Sequence, residues 1–131
     1  MCTELQMLAW GVVLGLVQIA IAATLSTQQR GLAWNAGARD GDPKLLTGVA
    51  ARMDRALRNF LETFVFFAAA VLVLVVSQRG NQQTALGAQI WFWSRVAYVP
   101  LYAAGIAYVR TLAWAASIAG LVMVLLPVLR A

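Results

Sequence analysis

With 131 residues, 62% of them hydrophobic and only 11% charged, the chain departs far from the soluble norm of about 45–50% apolar and about 25% charged, which excludes an ordinary water-soluble domain. Ten Lys and Arg against five Asp and Glu give a net charge of +5, yet no segment is long enough to form a nucleic-acid-binding module, so no nucleic-acid partner is expected. Histidine is absent, which removes the commonest general base and the usual zinc and haem ligands together, and no metal is expected.

A bilayer core about 30 Å thick needs about 20 apolar residues per helix. Four such stretches are expected, at about residues 5–25, 45–78, 84–108 and 111–129. Little chain is left over, so residues 1–131 read as a single all-α membrane domain, a four-helix transmembrane bundle.

The first stretch ends in Ala20-Ile21-Ala22-Ala23, as a cleaved secretory signal would, but Glu4 is its only charge and the positive n-region is missing. It reads as a retained helix. Cys2 is the sole cysteine, so no intrachain disulfide forms; its role is open, lipidation included.

The first connection carries Arg30, Arg39 and Lys44, the start of the next helix carries Arg52, Arg55 and Arg58, and Arg110 stands at the third connection. The other side has Glu4, Arg79 and Arg130. The positive-inside rule then sets the first and third connections in the cytoplasm and both termini outside it, and Arg30, Arg39 and Lys44 suit topology and anionic lipid. Trp34 reads as an interfacial anchor. Asp42-Pro43 resembles an N-cap and first helical position, with Thr47 as a second candidate cap before Gly48.

In the second helix, RALRNFLE places Arg55, Arg58, Asn59 and Glu62 at i, i+3, i+4 and i+7, on one face. Charges at depth in lipid are costly, so this face must look into the bundle or toward another subunit. The VLVLVV run from Val71 to Val76 reads as lipid-facing or core surface. The third helix carries a matching stripe, Arg95, Tyr98 and Tyr102. Arg95 is expected about 18 Å from the cytoplasmic end of its helix at 1.5 Å per residue, with Glu62 as the carboxylate placed to pair with it. Arg55, Arg58, Arg95 and Arg110 outnumber Glu62, an excess that suits an anionic ligand. Trp91, Phe92 and Trp93 read as an aromatic belt at the outer interface. Pro100 is expected to bend the third helix, and Ala103, Ala104 and Gly105 to allow close approach. The fourth helix offers no chemistry beyond Arg110 and Thr111.

The pattern R-x-x-R-N-x-x-E with R-x-x-Y-x-x-x-Y, continued in SRVAYVPLYAAGIAYVRTLAW, resembles the membrane-associated proteins in eicosanoid and glutathione metabolism, the MAPEG family of microsomal glutathione transferases and related synthases, and most closely its bacterial branch. Hydropathy agrees along nearly the whole chain. The resemblance implies a homotrimer with sites between subunits, in a bacterial inner membrane. It implies that Arg55, Arg58, Asn59 and Glu62 bind glutathione as co-substrate, that Arg95, Tyr98 and Tyr102 of a neighbouring subunit complete the pocket, and that Arg30 adds a contact. Arg110 then stabilises the thiolate and Thr111 aligns with a serine discussed as catalytic. The implied activity is a glutathione-dependent transferase or peroxidase acting on a lipophilic second substrate that arrives through the lipid.

The sequence departs from better-known members in four places. Tyr98 stands where one synthase has histidine, which speaks against isomerase chemistry. Trp114 replaces a tyrosine and Phe60 a frequent aspartate, and the first loop lacks a clear counterpart of a proposed catalytic aspartate, for which Asp40 and Asp42 are only candidates. Two alternatives stand beside the enzyme. A non-catalytic membrane scaffold would keep the same binding residues. A small four-helix transporter of cations would want an acidic residue deep in the first helix, where residues 5–25 have none and Gln18 is the polar side chain at depth.

Overall fold

The computed structural model describes residues 1–130, in which the apolar stretches form α1 (Thr3–Arg30), α3 (Gly48–Val76), α4 (Gln82–Ala103) and α5 (Ala107–Leu129), with a short α2 (Leu32–Ala36) in the first connection. No strand occurs among the described residues. By length and composition α1, α3 and α5 can each cross a membrane. The expectation of four such stretches is not met by α4 on composition, because Gln82, Gln83, Gln89, Ser94 and Arg95 dilute it.

The inward seam of α1 is built of small and polar residues: Glu4, Gly11, Gly15, Gln18 and Ala22 are buried. Large aromatics from α3 fill the space above the glycines. A Cβ on Gly11 would lie 2.9 Å from the Phe64 ring, and one on Gly15 would lie 3.0 Å from the Phe60 ring. The large side chains on the other faces of α1, among them Trp10, Leu16 and Val17, are exposed, as lipid-facing residues should be. Between α4 and α5 the backbones themselves meet, since a Cβ on Gly120 would sit 2.5 Å from the Gly87 carbonyl oxygen. Small residues permit such approach where burial from water no longer drives helices together.

At the core, Trp91 of α4 stacks on Phe67 of α3 with ring centroids 3.9 Å apart and planes 3° from parallel. This corrects the aromatic belt. Trp91 and Phe92 are buried and only Trp93, 62% exposed, faces outward, because consecutive helical residues point about 100° apart and cannot share one environment.

Helix boundaries also differ from expectation: α1 runs on to Arg30, five residues past the expected 25, and three further boundaries move. First, α3 begins at Gly48 with Thr47 as N-cap, and residues 42–46 are not helical. The incoming backbone is tied back to α1: Gln29 exchanges hydrogen bonds with the Thr47 N–H (2.9 Å) and carbonyl (3.0 Å), and Arg30 Nε donates to the Lys44 carbonyl at 2.7 Å. Second, α4 ends five residues early, at Ala103 rather than 108. Gly105 takes φ +76°, its N–H donates to the Tyr102 carbonyl and that of Ile106 donates to the Leu101 carbonyl, a Schellman ending that only a left-handed residue permits. Third, α5 therefore starts at Ala107, ahead of the expected 111, so Arg110 lies within its first turns instead of in a connection and Thr111 follows it.

The opposite end is held by Glu4. Asn81 and Thr84 form a reciprocal capping box at the start of α4, and Thr84 Oγ1 donates to Glu4 Oε1 at 2.7 Å. Glu4 lies in the first turn of α1 and is 5% exposed, so one buried carboxylate meets the positive ends of two helix dipoles.

Candidate functional site

The two polar stripes converge at the end of the bundle where α4 stops and α5 starts. Arg55, Arg58, Asn59 and Glu62 from α3, Tyr98 and Tyr102 from α4, and Arg110, Thr111 and Trp114 from α5 line one open cavity of about 380 Å³. That volume is within the usual range of small-molecule sites, about 300–1,000 Å³.

The side chains are ordered by cation–aromatic contact. Arg110 Cζ lies 4.4 Å from the Tyr102 ring centroid and Arg55 Cζ lies 5.8 Å from it, with Arg55 Nε donating to the Tyr102 hydroxyl at 3.1 Å. Tyr98 and Tyr102 meet edge to face at 5.5 Å. Beneath them Arg95 Cζ lies 4.4 Å over the Tyr98 ring. In the cavity, Arg55 and Arg110 are thus positioned by the Tyr102 ring while some of their N–H donors remain available to an anion.

Arg95 is buried below the cavity, 1% exposed, and does not line it. Because α4 stops at Ala103, Arg95 lies only eight residues from the end of its helix, about 12 Å at 1.5 Å per residue and not the greater depth expected. Its partner also differs from expectation. Arg95 Nη1 donates to Asn59 Oδ1 at 2.8 Å, whereas Glu62 is exposed at the cavity wall and makes no ion pair with Arg95. The height of Arg95 against α3 explains the exchange: its Cζ lies 5.6 Å from the ring of Phe60, the neighbour of Asn59, and Glu62 is most of a turn further along. Arg95 Nε and Nη2 have no hydrogen-bond partner among the described residues.

Arg30 is not brought to this cavity. It lines a second one with Arg39 and Arg58, on the other flank of α3. The remaining predicted residues of α3, α4 and α5 meet within a single chain, where the resemblance implies that a neighbouring subunit supplies the α4 face. Asp40 and Asp42 line neither cavity.

Three further contributors emerge only with the geometry. Asp54 pairs with Arg58 at 3.3 Å, a spacing of i, i+4 that is visible in RMDRALR. The pair is exposed, so it contributes only about 0–1 kcal/mol and leaves Arg58 easily redirected. Arg52 Nε donates to the Ala103 carbonyl at 2.9 Å, satisfying an end group of α4 and holding α3 against the site. Trp114, in the sequence only a replaced tyrosine, walls the cavity one turn after Arg110.

Fold and site together define an all-helical integral membrane protein with an arginine- and tyrosine-lined cavity at one end of its bundle. The chain belongs to the MAPEG family, whose sequence model matches residues 7–129 of the 131. No curated protein and no solved structure shows a significant match.

Proposed function

We propose that the protein is a membrane-bound, glutathione-dependent transferase or peroxidase acting on lipophilic electrophiles. One observation carries this: eight of the predicted binding and catalytic residues, from three helices, line a single cavity. Glutathione has two carboxylates and one ammonium. Arg55 and Arg58 suit the carboxylates as forked donors, and Glu62, free of Arg95, suits the ammonium. A thiol of pKa about 8.5 is mostly protonated at neutral pH. Arg110, held on the Tyr102 ring near the N-terminus of α5, adds its charge to the helix dipole and favours the thiolate. The thiolate then attacks an electrophile, and its S–H proton has already left to solvent through the open mouth. Thr111 is the nearest hydroxyl in sequence to steady a leaving group, although its Oγ1 donates to the Ala107 carbonyl at 3.1 Å in the free protein.

In this reading the chain crosses the membrane four times, with α4 shielded by its neighbours, and assembles as a homotrimer in a bacterial inner membrane with the cavity end cytoplasmic. Calorimetric titration of glutathione into the detergent-solubilised protein tests it. Saturable binding that Arg55→Ala abolishes is expected; a folded protein that takes up no glutathione would leave only the scaffold reading, which the same residues serve.

A further inference from the structure

Gln18, near the middle of α1, is fully buried and has no part in the glutathione site. Its Nε2 reaches only the Leu14 carbonyl of its own helix, at 3.5 Å, and its Oε1 has no partner among the described residues. An acceptor stripped of water inside a bundle is costly unless a donor answers it. The register of α1 against α3 places that oxygen. Gly11 meets the Phe64 ring, Gly15 the Phe60 ring, and Gln29 bonds Thr47, so the two helices run antiparallel with Gln18 one step beyond the Phe60 layer. The Gln18 side chain leans back toward Leu14, to the height of the Phe60 ring. Arg95 enters the same layer from α4, its Cζ 5.6 Å from the Phe60 ring centroid and its Nη1 on Asn59 Oδ1. The unpaired Nε and Nη2 of Arg95 form one edge of the guanidinium, a fork of parallel N–H groups. No carboxylate serves that edge, since Asp54 holds Arg58 and Glu62 is exposed. The remaining unpaired buried atom, Trp91 Nε1, belongs to the Phe67 layer one turn away.

One buried acceptor and one buried donor fork thus share the layer of a single aromatic ring. We propose that Gln18 is a positioning residue of the cavity, its Oε1 joined to the free edge of Arg95 through one buried water. The water accepts from Nε and Nη2 and donates to Gln18 Oε1, the three hydrogen bonds usual for a water inside a protein. Arg95 is then held on three sides, by Gln18, by Asn59 at 2.8 Å and by the Tyr98 ring at 4.4 Å. Asn59 and Tyr98 both line the cavity, whereas α1 supplies no residue to its wall. Through Arg95, α1 nevertheless fixes two wall residues from below. The effect on binding rests on the glutathione reading of that cavity; the bond itself does not.

Two substitutions in the full chain, purified in detergent, separate this link from mere filling of space. Gln18→Met keeps the length of the side chain and removes the acceptor, whereas Gln18→Glu keeps an acceptor oxygen at the same reach. Gln18→Met is expected to lower the melting temperature and to weaken glutathione binding, read by calorimetry, about fivefold. Gln18→Glu should hold both at the wild-type level. Made in an Arg95→Met background, Gln18→Met should leave the melting temperature where Arg95→Met alone puts it, because the donors it serves are gone. An equal drop in the two backgrounds, or glutathione affinity indifferent to Gln18→Met, would overturn the proposal. A wild type that takes up no glutathione would remove the reading of the cavity instead, and the melting cycle would still decide whether Gln18 and Arg95 are joined.

Discussion

At the residue scale the decisive contrast is between Arg95 and Arg110. Both lie over tyrosine rings at 4.4 Å, yet Arg95 is buried against Asn59 while Arg110 faces the cavity. Their substitutions should part accordingly. Replacing Asn59 by Leu strips Arg95 of its side-chain partner and leaves a buried charge, so unfolding in detergent should show a loss of about 1–3 kcal/mol. Arg95→Met removes the charge itself and should cost much less, because an apolar side chain of similar length tolerates that site. Arg110→Ala should leave folding intact and lower turnover about a hundredfold, with the ultraviolet absorbance of bound thiolate lost and glutathione affinity changed far less. An Arg110→Ala protein with full turnover would remove Arg110 from the chemistry. Asn59 is legible in the sequence as part of the polar stripe, but its bond to Arg95 is not, since helical spacing sets the face of a residue and not its height against a neighbouring helix.

At the scale of elements, glycine decides how closely α4 and α5 approach. The Gly87–Gly120 crossing brings backbone to backbone, so even a methyl group has no flexible neighbour to displace. Gly120→Ala should lower stability by about 1–3 kcal/mol, measured by unfolding in detergent, while Ala119→Leu, on the exposed face of the same helix, should be neutral. Since α5 carries Arg110 toward Tyr102, Gly120→Ala should also weaken glutathione binding; unchanged affinity would mean that the site is built by the α3–α4 contact alone. The early end of α4 belongs to this scale too. Gly105 reads in the sequence as a small residue for close approach, and its role is instead to terminate the helix with a positive φ. Nothing in the local sequence separates those two uses, because both ask only for the absence of a Cβ.

For the whole molecule, orientation and assembly are testable with what the chain already contains. Cys2 is the only cysteine, is exposed, and stands beside Gly80 and Asn81 at the end opposite the arginine- and tyrosine-lined cavity. If the cavity end is cytoplasmic, a membrane-impermeant maleimide should label Cys2 in intact cells, with detergent-solubilised protein as the control for a free thiol. Labelling only after the membrane is opened would invert the topology. The broad exposed apolar surface, including Leu16, Phe66, Trp93 and Leu112, is shared between lipid and any subunit contact. Native mass spectrometry is expected to give a trimer.

The apolar content, the RALRNFLE stripe and the Arg95–Tyr98–Tyr102 stripe are enough by themselves to define the class of protein, its family and most of the cavity wall. Those are periodic, local properties, and helical geometry converts them directly into faces. Tertiary structure alone decided that Trp91 belongs to the core, that Arg95 bonds Asn59 and not Glu62, and that Arg30 turns to a different cavity. Each of these depends on how far one helix slides along another and where a connection is tied down. Such offsets are set by glycine contacts and aromatic stacking between segments distant in the chain, which no local pattern records.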